Sequence, residues 1–137
     1  MKRVFVDTLY WLATTRPNDP WGERARRAKA LLGETLLVRT DEILAEFLTA
    51  LAKGGEHLRQ QGVRMVRAIL ANPNVRVLPQ SRDSFLRGVA LYEERLDKEY
   101  SLTDCISMNA MKSESLIDIL TNDHHFAQEG FSVLISH

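Results

Sequence analysis

The chain carries a single cysteine, Cys105, which rules out an intrachain disulfide and every multi-cysteine zinc motif. That residue sits in an almost continuously apolar stretch, where packing is its expected role, and its solitude suits a reducing cytoplasm. No segment approaches the roughly 18 consecutive apolar residues of a membrane span, and the run after Lys2-Arg3 is too short for the apolar region of a signal peptide. A soluble, unexported, cytoplasmic protein with no membrane association is expected. Excess charge of one sign is missing too: 18 Lys and Arg balance 18 Asp and Glu, so global charge argues neither for nor against a phosphate-bearing partner. The sequence has no repeat, low-complexity tract or dividing linker. Its 137 residues, 45% hydrophobic, fit one domain spanning 1–137, with a sizeable core and no room for a second.

What is present is an alternation of short β-branched runs with helical apolar periodicity. Strands are expected at about 3–6, 36–39, 75–78, 117–120 and 131–135. Helical patterns lie between them at roughly 8–13, 20–32, 41–53, 56–71, 81–96, 101–112 and 123–128. Pro17-Asn18-Asp19-Pro20, Gly54-Gly55 and Asn72-Pro73-Asn74 punctuate the pattern. Such βα alternation predicts a parallel sheet with helices on both faces.

Four acids stand at strand ends or on helices: Asp7, Glu46, Asp104 and Asp123. Carboxylates that converge from distant positions usually hold a divalent metal, which points to a metal-dependent hydrolase. Asp7 ends the run Val4-Phe5-Val6, and Asp123 follows Leu116-Ile117-Asp118-Ile119-Leu120 after Thr121-Asn122. Both should emerge at the carboxyl edge of a parallel sheet, where sites in such folds lie. In the helix from Asp41, the apolar stripe Ile43, Leu44, Phe47, Leu48, Leu51 turns Glu42 away from the core and leaves Glu46 near the stripe's edge. Glu46 is therefore the inward candidate, and Glu42 a solvated first-turn acid favoured by the helix dipole. Asp104 shares a helix side with Met108 and Met111, so ionising it is costly unless a cation or donors compensate. With Ser101 three residues before it, the same acid can close a capping box.

Strand, helix, helix, strand placement of these acids resembles the PIN-domain family of ribonucleases, most closely the small VapC-like toxin halves of toxin–antitoxin pairs. The resemblance runs the length of the chain. It is carried by Val4-Phe5-Val6-Asp7-Thr8, Ile43-Leu44-Ala45-Glu46-Phe47-Leu48, Ser101-Leu102-Thr103-Asp104-Cys105-Ile106-Ser107 and Leu120-Thr121-Asn122-Asp123-His124-His125-Phe126, followed by Gly130-Phe131. It implies a three-layer α/β/α fold around a short, mainly parallel sheet. It also implies an endoribonuclease whose Asp7, Glu46, Asp104 and Asp123 bind Mg²⁺ or Mn²⁺. Thr8 and Thr121 match small hydroxyl positions that orient carboxylates or water, although each also fits ordinary turn or cap chemistry. An antitoxin protein and a homodimer partner are implied as well, with the helical pair around Gly54-Gly55 as a clip for either. Crowding of the acids should raise some of their pKa values through repulsion, and metal should stabilise the fold.

Other readings remain beside this one. His124-His125 suggests a zinc or manganese site, but adjacent residues entering a helix do not face the same way, so His125 is expected to pack with Phe126 and His124 to lie nearer substrate. A strand-end aspartyl phosphatase would want an acid two residues after Asp7, where Leu9 stands. A PIN-like module that serves mainly assembly with a partner protein is a further reading, though such a module need not keep all four acids. Arg24, Arg26, Arg27 and Lys29, and Arg59, Arg64 and Arg67, either track a nucleic-acid backbone or form the wet faces of amphipathic helices.

Overall fold

A computed structural model describes residues 2–135. Five strands, β1 (Lys2–Val6), β2 (Thr35–Thr40), β3 (Val75–Leu78), β4 (Asp118–Leu120) and β5 (Ser132–Val133), form one sheet in the order β3-β2-β1-β4-β5, with every pair parallel. Seven helices accompany them: α1 (Thr8–Thr15), α2 (Gly22–Leu32), α3 (Asp41–Leu51), α4 (Gly55–Ala71), α5 (Arg82–Glu94), α6 (Leu102–Ser113) and α7 (His124–Gln128). None of these helices is long and apolar enough to cross a membrane.

Successive strand residues point to opposite faces, and the buried residues divide accordingly. Val4, Val6, Leu37 and Leu120 pack with Tyr10, Ala13, Ala25 and Ala28 of α1 and α2. Phe5, Val38 and Ile119 pack with Ile43 of α3, Leu91 of α5, Cys105, Met108 and Met111 of α6 and Phe126 of α7. This is the expected three-layer α/β/α arrangement. Cys105 is part of the second cluster and buried, as its apolar surroundings in the sequence predict. Gly88 lets α5 lie close on α6: a Cβ there would stand 2.5 Å from Cγ1 of Ile106.

The expected elements all appear, with shifts of a residue or so at most ends. The last strand is the shortest because ladder pairing is regular only over Ser132 and Val133. Its hydrogen bonds continue, however, from Leu134 N to Ile119 O at 3.0 Å and from Ile135 N to Thr121 O at 3.1 Å. Gly130, at φ +91, makes the reversal from α7 into this strand, a conformation that glycine adopts without Cβ strain.

One residue breaks the apolar pattern of the sheet. Arg39 on β2 is fully buried and lays its guanidinium over the Trp11 ring, 4.1 Å from the centroid. None of its three side-chain nitrogens has a hydrogen-bond partner among the described residues. Burial pushes the guanidinium down to about 9, with the nearby Tyr10 hydroxyl acting in the opposite direction.

Candidate metal centre

Because β1 is central and parallel to both neighbours, its carboxyl end delivers Asp7 between the ends of β2 and β4. Asp7 is 7% exposed and its backbone N donates to Leu120 O at 3.3 Å. It occupies the position before the first residue of α1 but makes no side-chain cap to that helix. Instead, Oδ2 accepts a 2.9 Å hydrogen bond from the Thr121 hydroxyl. The same Thr121 Oγ1 accepts from Asp123 N at 3.1 Å. One buried hydroxyl thus fixes the end of β4 to the end of β1 and sets the spacing of the two strand-end acids.

Glu46 reaches the site from the middle of α3, where one carboxylate oxygen accepts a short hydrogen bond from Thr8 Oγ1. Glu42, one turn earlier, is only partly exposed rather than fully solvated. Each threonine hydroxyl therefore donates to a carboxylate, and Thr121 also makes the turn bond that was its alternative, accepting from the backbone two residues on. Asp104 takes the capping role weighed for it. Its N–H donates to Ser101 Oγ at 3.0 Å and its Oδ2 accepts from Ser101 N at 3.0 Å, a complete capping box. The carboxylate also faces the other acids.

Burial and the neighbouring carboxylates both shift these groups. Burial is the leading cause that pushes Asp7 up to about 7; hydrogen bonds from Thr121 and the Thr8 backbone oppose it, while the Asp104 and Glu46 carboxylates add to it. Asp104 is raised as well, first by burial and then by Asp123 and Glu46, against the hydrogen bonds from Ser101. Repulsion was the expected cause of such shifts. Desolvation is the larger one, because Asp7 lies beneath the surface rather than in an open acidic cleft.

The tightest grouping includes a residue that the sequence assigned to packing. Ligand atoms of Asp104, Asp123 and His125 lie within 4.8 Å of one another. His125 Nδ1 stands 3.1 Å from Asp123 Oδ1 and 4.0 Å from Asp104 Oδ2. It is buried and has no hydrogen-bond partner among the described residues. The ring does pack, edge-on to Tyr100 at 5.5 Å between centroids, but its nitrogen faces the acids. Asp123 caps α7, with Oδ1 accepting from His125 N at 2.9 Å, which holds the carboxylate at the start of the helix that carries His125. His124 is exposed, beside the His125 ring.

A second residue absent from the sequence reading supports this corner. Glu129, its side chain 8% exposed, accepts from Arg95 Nε at 2.6 Å and from the Tyr100 hydroxyl at 3.1 Å. These contacts clamp the end of α7 to the segment that leads into α6. The Arg95 hydrogen bond is the first cause holding the Glu129 carboxyl below its usual range. The arginines of α2 and α4 considered above as a phosphate track are exposed.

The donor set suits a divalent cation. Carboxylate oxygens favour hard ions, and a buried imidazole nitrogen without a hydrogen bond is available as a further donor. Asp7 and Glu46 lie outside the 4.8 Å triad, yet near enough for their charges to act within the same group.

No family model matches the chain. Among curated proteins, 108 residues are 34% identical to anaphase-promoting complex subunit 7 of Homo sapiens and 33% identical to that of Mus musculus. Those alignments take in 79% of this chain but 19% of each relative, so the chain spans about a fifth of the length of the curated relatives it matches. Among solved structures, Mycobacterium tuberculosis VapC20, a sarcin-ricin loop cleaving toxin, superposes with a TM-score of 0.83 at 22% identity, covering 94% of this chain and 96% of that one. FitAcB from Neisseria gonorrhoeae gives 0.65 at 18% identity, with 96% of each chain covered. A toxin–antitoxin complex from Klebsiella pneumoniae gives 0.62 at 18% identity, over 88% of this chain and 87% of that chain. At such remote identity the likeness establishes architecture: the chain has the three-layer, PIN-like fold of these structures.

Proposed function

We propose that this chain is a divalent-metal-dependent endoribonuclease that hydrolyses RNA phosphodiester bonds, and that it serves as the toxin of a toxin–antitoxin pair. The observation that carries the reading is the meeting of Asp7, Glu46, Asp104 and Asp123, from four separate elements, at the carboxyl end of a parallel sheet. The likeness to a sarcin-ricin loop cleaving toxin supports RNA as the substrate.

In this proposal the four acids and His125 hold Mg²⁺ or Mn²⁺. An ion bound there would neutralise charge on the phosphoryl oxygens and lower the pKa of the attacking water. The chain's own groups prepare the place. Thr121 fixes Asp7 and, through the Asp123 backbone, the end of β4. Thr8 sets the rotamer of Glu46, and the Ser101 cap fixes Asp104. Burial raises the Asp7 carboxyl to about 7, so near neutrality its neutral and ionised forms coexist and positive charge arriving beside it would favour the ionised one.

The helical pair α3 and α4 is the proposed seat of an antitoxin segment. A groove there has Leu48 and Val63 as apolar floor and Glu56, Arg59 and Arg64 as polar rim, an arrangement that suits an amphipathic helix. A homodimer is proposed beside it, and light scattering at micromolar concentration that gave a monomer would remove that part.

The deciding experiment is cleavage of a structured RNA pool with Mg²⁺ or Mn²⁺ against EDTA, using wild type and an Asp7→Asn, Asp104→Asn double variant. Cleavage that requires both metal and acids is the expected result. Equal activity in the two proteins would overturn the assignment, because it would mark the nuclease as a contaminant.

A further inference from the structure

A groove separate from the acid cluster opens where α5 and α6 begin. It measures about 480 Å³ and is lined by Glu42, Arg82, Phe85, Leu102, Thr103 and Ile106 among others, a size within the range of small-ligand sites. Thr103 directly precedes Asp104, and Glu42 lies one helical turn, about 6 Å, before Glu46 on the same face of α3. Two of its lining residues are therefore close neighbours in sequence of the acids, on the same two helices.

Two residues at its rim are costly where they stand. Phe85 is 41% exposed. Arg82 is the first residue of α5, where a cation opposes the helix dipole, and it has no carboxylate partner within ion-pair distance among the described residues. Its guanidinium carbon instead lies 5.6 Å from the Phe85 ring centroid. An exposed ring with a cation beside it is the chemistry that binds one unpaired nucleotide: the base stacks on the ring and the phosphate meets the guanidinium. Glu42, which also lines the groove but belongs to α3, disfavours a phosphate beside it and so favours seating the backbone at Arg82.

We infer that this groove seats an unpaired nucleotide flanking the bond to be cut, with its base on Phe85 and its phosphate at Arg82. The inference rests on the ribonuclease reading and adds the position that selects single-stranded or loop RNA. Phe85 and Arg82 are positioning residues, distinct from the acids.

The test measures binding and cleavage separately. Fluorescence anisotropy of a short labelled single-stranded RNA is recorded in the Asp7→Asn, Asp104→Asn background, and cleavage is recorded in the wild-type background. Each includes Phe85→Ala, Phe85→Trp and Arg82→Ala, with thermal melts to verify folding. Phe85→Ala should weaken binding about tenfold and Phe85→Trp should retain it. Arg82→Ala should reduce the slope of log K against log salt by about 0.7. In cleavage, both alanine variants should raise KM with little change in kcat. Unchanged binding and cleavage in every variant would overturn the subsite and leave the ribonuclease reading standing. Binding that depends on both residues, from a protein that cuts no RNA, would sustain the subsite and remove the ribonuclease reading. Wild type that binds no RNA would overturn both. Phe85, Val89 and Tyr92 form an exposed apolar strip along α5, with Leu96 exposed just beyond its end, so a change of oligomeric state in Phe85→Ala without loss of RNA binding would assign Phe85 to a face between copies and overturn the inference.

Discussion

Replacing Asp7 by asparagine should make the metal-free protein more stable while destroying its response to metal. Asp7 is 7% exposed, and its pKa is raised from 3.8 to about 7, chiefly by burial. A raised carboxyl stabilises the folded state least when ionised: the contribution is intact below the unfolded pKa and is lost as pH climbs through the folded one. With about 1.4 kcal/mol per pH unit, the cost at pH 8 is about 4 kcal/mol, against about 2 kcal/mol at pH 5. Asparagine keeps an acceptor for the Thr121 hydroxyl and has no proton to lose. In EDTA at pH 8, Asp7→Asn should melt roughly 8 to 15 °C above wild type, taking about 4 °C per kcal/mol for a domain of this size and allowing for relaxation around the charge. At pH 5 the gap should fall to about half. Adding Mg²⁺ or Mn²⁺ should raise the wild-type midpoint and leave the variant nearly unmoved. A variant that melts at or below wild type at pH 8, in the absence of metal, would refute the claim that the buried carboxylate is strained.

Two further substitutions probe the supports. Glu129→Gln removes the charge that Arg95 and Tyr100 share and should cost about 2 kcal/mol in urea unfolding at pH 7; because this carboxyl is held below its usual range, the gap from wild type should close as pH falls below about 4.3. Arg39→Met replaces a buried, unbonded guanidinium by an apolar chain of similar length, so it should leave the urea midpoint unchanged or raise it, and a loss above about 1 kcal/mol would contradict the account of that residue.

The sheet was readable in the sequence because β1, β2 and β4 bury both faces and so appear as brief apolar runs, while the helices keep their polar faces and periodicity. Asp7 and Asp123 were legible as strand-end acids, and Glu46 from its phase against the α3 stripe. His125 was not, since its approach to Asp104 follows from a cap and from the docking of α7, neither of which side-chain periodicity encodes. The Glu129 clamp joins residues 34 and 29 positions apart, and exposed-looking charges at such separation carry no pairing signal. Arg39 falls where alternation calls for an apolar residue; its burial depends on the Trp11 ring beneath it. Burial as the main cause of the Asp7 shift required knowing how deep the end of β1 lies.

The hydrogen bond from Thr121 to Asp7 closes a span of 114 residues, and it joins the two strands without which the acids do not meet. Long-range parallel pairing forms late, because loop closure must be completed before the contacts form. During synthesis, a nascent chain that had released β1, α3 and even α6 from the ribosome would still lack Thr121, Asp123 and the strand that carries them. Its acids would have no common centre until β4 emerged and docked beside β1. In a chain of this topology the acid cluster is therefore among the last features to assemble, and a chain terminated before Thr121 never acquires it.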